Sequence, residues 1–297
     1  MFPAFLTTVF FSLSAVMANR SQQAFGPTRA NLGRLTVGLA FLALWAFVFG
    51  QGFGGAGLRE FLVSGVLGMG LGDLAFFAAL PLIGSRLTTM LNQCLAVPVA
   101  IFVEWLWLGT RLTPAQFACI AVILGGIVLA LTPTRAHPPR VKVRSWGVLF
   151  GVLAAIGQGL GAVFSRKGFE ITAAAGQHVD GLTVAFQRTL GGLVITGGLL
   201  VALSWLRPAE ARPAVPPKPS AYLWILGNAF AGPILGMSSY QWALSTTPSG
   251  IVLPITATTP LVVIPFAYWL EGERPSQQSL VGGGIAVIGA VALALVR

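Results

Sequence analysis

Charge is what this sequence has least of. Of its 297 residues, 18 are Lys or Arg and 8 are Asp or Glu, so charged side chains make up 9%, against about 25% in an ordinary soluble domain. Residues of the apolar set make up 55%, and the mean hydropathy is +0.82. So few charges cannot cover the surface of a water-soluble fold, and so much apolar material does not stay unfolded in water. A soluble globular domain and a disordered chain are both excluded. Cysteine is almost missing: Cys94 and Cys119 both fall in apolar runs and form neither a disulfide framework nor a zinc ligand set. Histidine is as scarce, and His137 and His178 fall between the runs. No H-E-x-x-H, G-x-S-x-G or P-loop pattern occurs, so enzyme chemistry and ATP hydrolysis have no carrier, and no cofactor or metal is expected.

What remains is a polytopic membrane protein. A spanning helix needs ~20 mostly apolar residues at 1.5 Å rise each. The stretch 219–270 holds no charged residue, is too long for one helix, and carries T-T-P-S-G at 246–250 as its turn. The same reasoning along the chain predicts ten helices, at 3–19, 30–50, 58–79, 87–108, 114–132, 146–164, 182–206, 222–243, 249–270 and 279–296. The first lacks the charged start and small-residue cleavage site of a signal peptide and is read as a span. A membrane barrel would show alternating segments of ~10 residues, and these runs are continuous and longer. The fold class is therefore an all-α membrane protein. A Pro- and Arg-rich break divides it into residues 1–134, a linker at 135–145, and residues 146–297, with five spans in each half. A second Pro-rich loop, 207–219, separates spans seven and eight.

The two halves resemble each other. At an offset of 164, Gly68, Leu71 and Gly72 match Gly232, Leu235 and Gly236, and Ala79-Leu80 matches Ala243-Leu244. One residue less pairs Gly109, Arg111 and Gly126 with Gly272, Arg274 and Gly289. Nearer the start of each half, Arg34 resembles Arg188. Five spans is an odd number, so the second half enters the bilayer in the opposite sense. Such inverted repeats enclose a site near the midplane that opens to each side in turn. G-x-x-x-G pairs at Gly68/Gly72, Gly147/Gly151, Gly157/Gly161 and Gly232/Gly236 predict close helix contacts.

The second-half segment S-S-Y-Q-W-A-L-S-T-T-P-S-G, continuing through Pro260 to Gly272-Glu273-Arg274, resembles the ten-helix EamA-type branch of the drug/metabolite transporter superfamily. So does its first-half counterpart from Gly72-Asp73 through Pro98 to Leu108-Gly109-Thr110-Arg111, which departs from the family pattern at Thr110, where Glu is usual. The resemblance spans essentially the whole chain in two copies. It implies a secondary transporter of small organic metabolites, often an exporter of amino acids or related solutes, in a bacterial inner membrane.

Polar groups inside apolar spans are the candidate site residues. Asp73 is read either as a coupling acid or cation site, or as a structural hydrogen-bond partner. Glu104, between Trp residues, is either hydrated at the interface or a gate. Arg34 and Arg188 either snorkel or bind a substrate carboxylate. Ser12, Ser14, Asn92, Gln93, Gln158, Asn228, Tyr240, Gln241 and Thr256 are candidates for the cavity wall or for helix–helix hydrogen bonds. Pro98 and Pro260 are expected to break their helices, as helices beside transporter sites often are.

The expected partners are a small-molecule solute, protons as the coupling ion, and membrane lipid. Nucleic acid is not expected, because the net charge of +10 is spread over the loops between spans rather than gathered in one stripe. The alternative function is a lipid scramblase or flippase working through a polar groove open to the bilayer. Monomer and homodimer are equally compatible with the sequence. Basic residues favour the odd-numbered loops by 11 to 5, which puts both termini outside. The resemblance implies both inside, and a compartment-sensitive reporter at each terminus separates the two.

Overall fold

The computed structural model describes residues 1–25, 27–132, 144–206, 219–271 and 276–296. Most of the expected linker, the loop at 207–218 and Gly272-Glu273-Arg274 lie outside the described residues.

The described residues form ten helices. In the first half these are α1 (Phe2–Phe25), α2 (Pro27–Val48), α3 (Leu58–Gly84), α4 (Leu87–Leu108) and α5 (Pro114–Leu131). In the second half they are α6 (Ser145–Ala174), α7 (Gly181–Leu206), α8 (221–246), α9 (249–271) and α10 (Gln277–Leu295). Seven stretches are long and apolar enough to cross a membrane by themselves, and α2 carries a shorter apolar stretch, Gly33–Val48. The chain is a multi-pass membrane protein of two inverted five-helix repeats.

Three boundaries differ from expectation by five residues or more, the first being that α1 runs to Phe25 instead of ending at residue 19. Helix α3 runs on to Gly84, whose φ of 78° ends it, so Asp73 lies well inside the helix rather than near its end. Helix α6 continues to Ala174. Arg166 and Lys167 thus lie on its last turns, beyond the apolar run that set the predicted boundary. Glu170 pairs with both, at 3.8 and 3.7 Å.

The repeats exchange partners. Helix α1 packs on α8 and α9 of the second half, and α2 packs on α7 and α8; reciprocally, α6 packs on α3 and α4, and α7 on α3. Small residues make the exchange possible. A Cβ on Gly157 would sit 2.7 Å from the Cα of Gly72, and one on Gly161 would sit 3.1 Å from the Cα of Gly68. The two G-x-x-x-G pairs therefore interlock between α3 and α6 at backbone contact. Helices α5 and α10 pack apart from this centre. There a Cβ on Gly126 would fall 2.6 Å from the backbone N of Ala286.

Proline breaks α9. Its segments Ser249–Thr256 and Thr259–Glu271 meet at a kink just before Pro260. Proline has no N–H, so the Thr256 carbonyl four residues before Pro260 loses its helical donor. The Thr259 hydroxyl donates to it at 2.6 Å, and Thr258 adds a bond to the Ile255 carbonyl at 2.7 Å. Thr8 and Ser12 of α1 donate to the Ile255 and Thr259 carbonyls at 3.2 and 3.1 Å.

Candidate solute-binding site

Helices α3 and α8 each pass through one stretch of π-helix, Val66–Gly72 and Phe230–Gly236. These are the same positions in the two repeats, 164 residues apart. A π-turn widens the helix and turns side chains away from the regular α-helical rows, and it is frequent at functional sites. Each turn carries a glycine that faces an arginine of the other repeat. A Cβ on Gly68 would stand 2.7 Å from Arg188 Nη2, and one on Gly232 would stand 2.5 Å from Ser14 Oγ and 3.5 Å from Arg34 Nη1. Glycine at these two places makes room for the guanidinium groups.

Between the turns lies a cavity of about 200 Å³. Its polar lining is Ser14, Arg34, Asp73, Gln158, Arg188 and Tyr240; Phe11, Leu35, Met69, Pro233 and Met237 supply apolar wall. Asp73 follows directly on the π-turn of α3. Its side chain is open to the cavity and within electrostatic reach of both Arg34 and Arg188. Arg34 Nε donates to Asn31 Oδ1 at 2.8 Å. Arg188 is 1% exposed and makes one long hydrogen bond, Nη1 to Ser165 Oγ at 3.4 Å. Its Nε has no partner among the described residues, and neither does the buried Tyr240 hydroxyl. The guanidinium carbon stands 5.3 Å from the centre of the Tyr240 ring, within cation–π range. A fully buried arginine with one weak bond leaves four of its five donors to be satisfied by something else.

Six of the sequence candidates meet in this cavity: Ser14, Arg34, Asp73, Gln158, Arg188 and Tyr240. Asn228 stands behind it, its Oδ1 accepting from Ser14 Oγ at 2.7 Å. Gln241 is buried beside Tyr240, with Nε2 3.6 Å from Met237 Sδ and no partner for Oε1 among the described residues. The snorkelling reading of Arg188 does not hold, because the side chain is enclosed between α3, α6 and α8 instead of reaching the interface.

The remaining candidates sit elsewhere. Glu104 is 2% exposed, which corrects the reading of a hydrated interfacial acid. It accepts from the hydroxyl of Ser249, from the backbone N of Gly250 at 3.1 Å and from Thr110 at 3.4 Å. It thus caps the first turn of α9 from the neighbouring repeat, where the positive end of the helix dipole favours an anion. Ser12 and Thr256 serve the α9 kink; Thr256 donates to the Leu253 carbonyl at 3.1 Å. Asn92 and Gln93 are half-buried on α4 and do not line the cavity. Pro98 borders a different hollow, an apolar groove of about 570 Å³ between α4 and α5 that also contains the outward-facing Phe102, Trp105 and Phe117.

Sequence reasoning did not find the π-turns, Ser165 beneath Arg188, or Met69 and Met237 in the wall. The glycine pairs at the offset of 164 were the available signal, since they mark the two turns.

A profile of the EamA-like transporter family matches residues 1–132 and 145–295. The chain belongs to that family, whose members are membrane transporters of small solutes. An uncharacterised protein of Pseudomonas aeruginosa, PA1977, is 38% identical over 117 residues, which is 38% of this chain and 40% of that protein; the match thus spans well under half of either. A crystal structure with a TM-score of 0.74 and 18% identity covers 98% of this chain and 95% of its own, so the fold is shared over the full length.

Proposed function

We propose that the protein is a secondary active transporter that exports a small organic metabolite, such as an amino acid or related solute, across a bacterial inner membrane. The cavity between the π-turns is its binding site, and the two repeats rock about it to expose it to each side in turn. The observation that carries this reading is the cross-repeat arrangement: each repeat places an arginine against a glycine in the other repeat's π-turn, around one polar cavity. A site lined by residues of both repeats is what alternating access between inverted repeats requires.

Asp73 is the coupling acid in this scheme. It is the one carboxylate in the cavity lining and lies between two arginines, so the occupancy of the site and its protonation are linked. The groove that faces the bilayer has an almost wholly apolar lining, which favours a solute path through the centre over a lipid path along the edge.

A thermal-shift screen of the purified protein against amino acids, amines, organic acids, sugars and nucleobases tests the reading. A solute that binds the native state raises the melting temperature. That rise must disappear in Arg188→Gln and change in size in Asp73→Asn. A solute whose stabilisation is unaltered by both substitutions binds elsewhere and overturns the assignment of the cavity.

A further inference from the structure

Granting that the cavity is the solute site, we propose that Arg188 is the anchor for the solute's carboxylate, and that the site takes small monocarboxylates with an apolar tail. Arg188 is enclosed by α3, α6, α7 and α8, yet its only hydrogen bond among the described residues is the 3.4 Å contact to Ser165. A buried cation left this bare is costly. Its planar fork matches a carboxylate, which accepts two parallel N–H bonds.

The surroundings prepare that geometry. The face of the Tyr240 ring holds one side of the guanidinium. The absent side chain of Gly68 leaves room beside Nη2. The unpartnered Tyr240 hydroxyl supplies a further donor in the same wall.

Charge and shape narrow the class further. The charged groups facing the cavity are Arg34 on α2, Asp73 on α3 and Arg188 on α7; α1 contributes Ser14, α6 contributes Gln158, and α8 contributes Tyr240. Two cations and one ionised carboxylate leave a net charge of +1, which a single anion neutralises. Phe11, Leu35, Met69 and Met237 also line the cavity and offer apolar contact for an aliphatic tail. Asp73 is the negative charge with which an incoming carboxylate must share the two arginines.

The test uses the full-length protein in detergent and in proteoliposomes, with butyrate as probe and butyramide and butylamine as its neutral and cationic counterparts. Butyrate is expected to raise the melting temperature and to be taken up, and the other two to do neither. Arg188→Gln is expected to abolish the butyrate effect, with Arg188→Lys restoring part of it. Asp73→Asn is expected to tighten butyrate binding on the order of tenfold, because a repelling charge is removed at close range. A purely structural role for Asp73 would not produce tightening. Butyramide acting as well as butyrate, or an unchanged butyrate response in Arg188→Gln, overturns the proposal. If butyrate fails while another solute gives a shift that Arg188→Gln abolishes, the carboxylate assignment falls and the cavity remains the site.

Discussion

The two arginine nests are built alike and equipped differently. Arg34 and Arg188 occupy matching helices, each opposite a glycine in a π-turn of the other repeat. Behind the first, Ser14 donates to Asn228; behind the second, Ser64 donates to the Gly161 carbonyl at 2.5 Å. Asn228 and Ser64 are again 164 residues apart. Yet Arg34 is partly buried and tied to Asn31, while Arg188 is sealed and nearly bare. The position of Asp73 is filled by Met237 in the second half. A similar divergence appears one helix away, where Ser12 bonds the Thr259 carbonyl in the broken α9. At the corresponding place in α6, a Cβ on Gly159 would stand 2.8 Å from the Ala96 carbonyl oxygen of the unbroken α4. Duplication supplied a symmetric frame for alternating access, and the chemistry was then concentrated on one side of it.

That comparison is broken most severely at Arg188. Arg188→Gln removes the charged donors and should lower transport by roughly 10- to 150-fold, the cost of charge-assisted hydrogen bonds; Arg34→Gln should lose no more than about fivefold by the same reasoning, since Arg34 is more exposed. Equal losses in an uptake assay would contradict the inequality of the nests. Substitutions at the glycines sharpen it. Gly68→Ala meets only the flexible end of Arg188, so transport should fall about tenfold while the melting temperature barely moves. Gly157→Ala meets the backbone of Gly72 and should destabilise the fold by about 1–3 kcal/mol. Glu104→Gln weakens the cap on α9 and should cost about 1–2 kcal/mol, with binding by the folded fraction unchanged. Smallest is Ser12→Ala, about 0.6 kcal/mol for one interhelical hydrogen bond, read by thermal unfolding in detergent.

Helix number and the inverted repeat were legible because apolar length and the order of Gly, Arg and Pro are local properties of the chain. The pairing of Arg34 with Arg188 was legible for the same reason. The exchange of helix partners was not, since it depends on contacts between residues far apart in the chain, such as Gly72 with Gly157 and Gly65 with Arg188. Glu104 shows the limit clearly: its Trp neighbours suggest an interface, and only the arrival of Ser249 and Gly250 from the other repeat turns it into a buried cap. The π-turns escaped notice because Val-Leu-Gly-Met-Gly-Leu-Gly at 66–72 fits an ordinary small-residue helix equally well. Asp73 was placed on the right helix but too close to its end, because the predicted span stopped short of Gly84.

Transport by alternating access depends most directly on the cavity opening to both sides. Gln158 lines it and has no charge to lose, so Gln158→Cys in a Cys94→Ala, Cys119→Ala background is a suitable reporter. A membrane-impermeant thiol reagent should label it from either face of the membrane in vesicles of the two orientations, and a transported solute should protect it from both. Labelling from one face alone in the presence and absence of solute would contradict alternating access at this site.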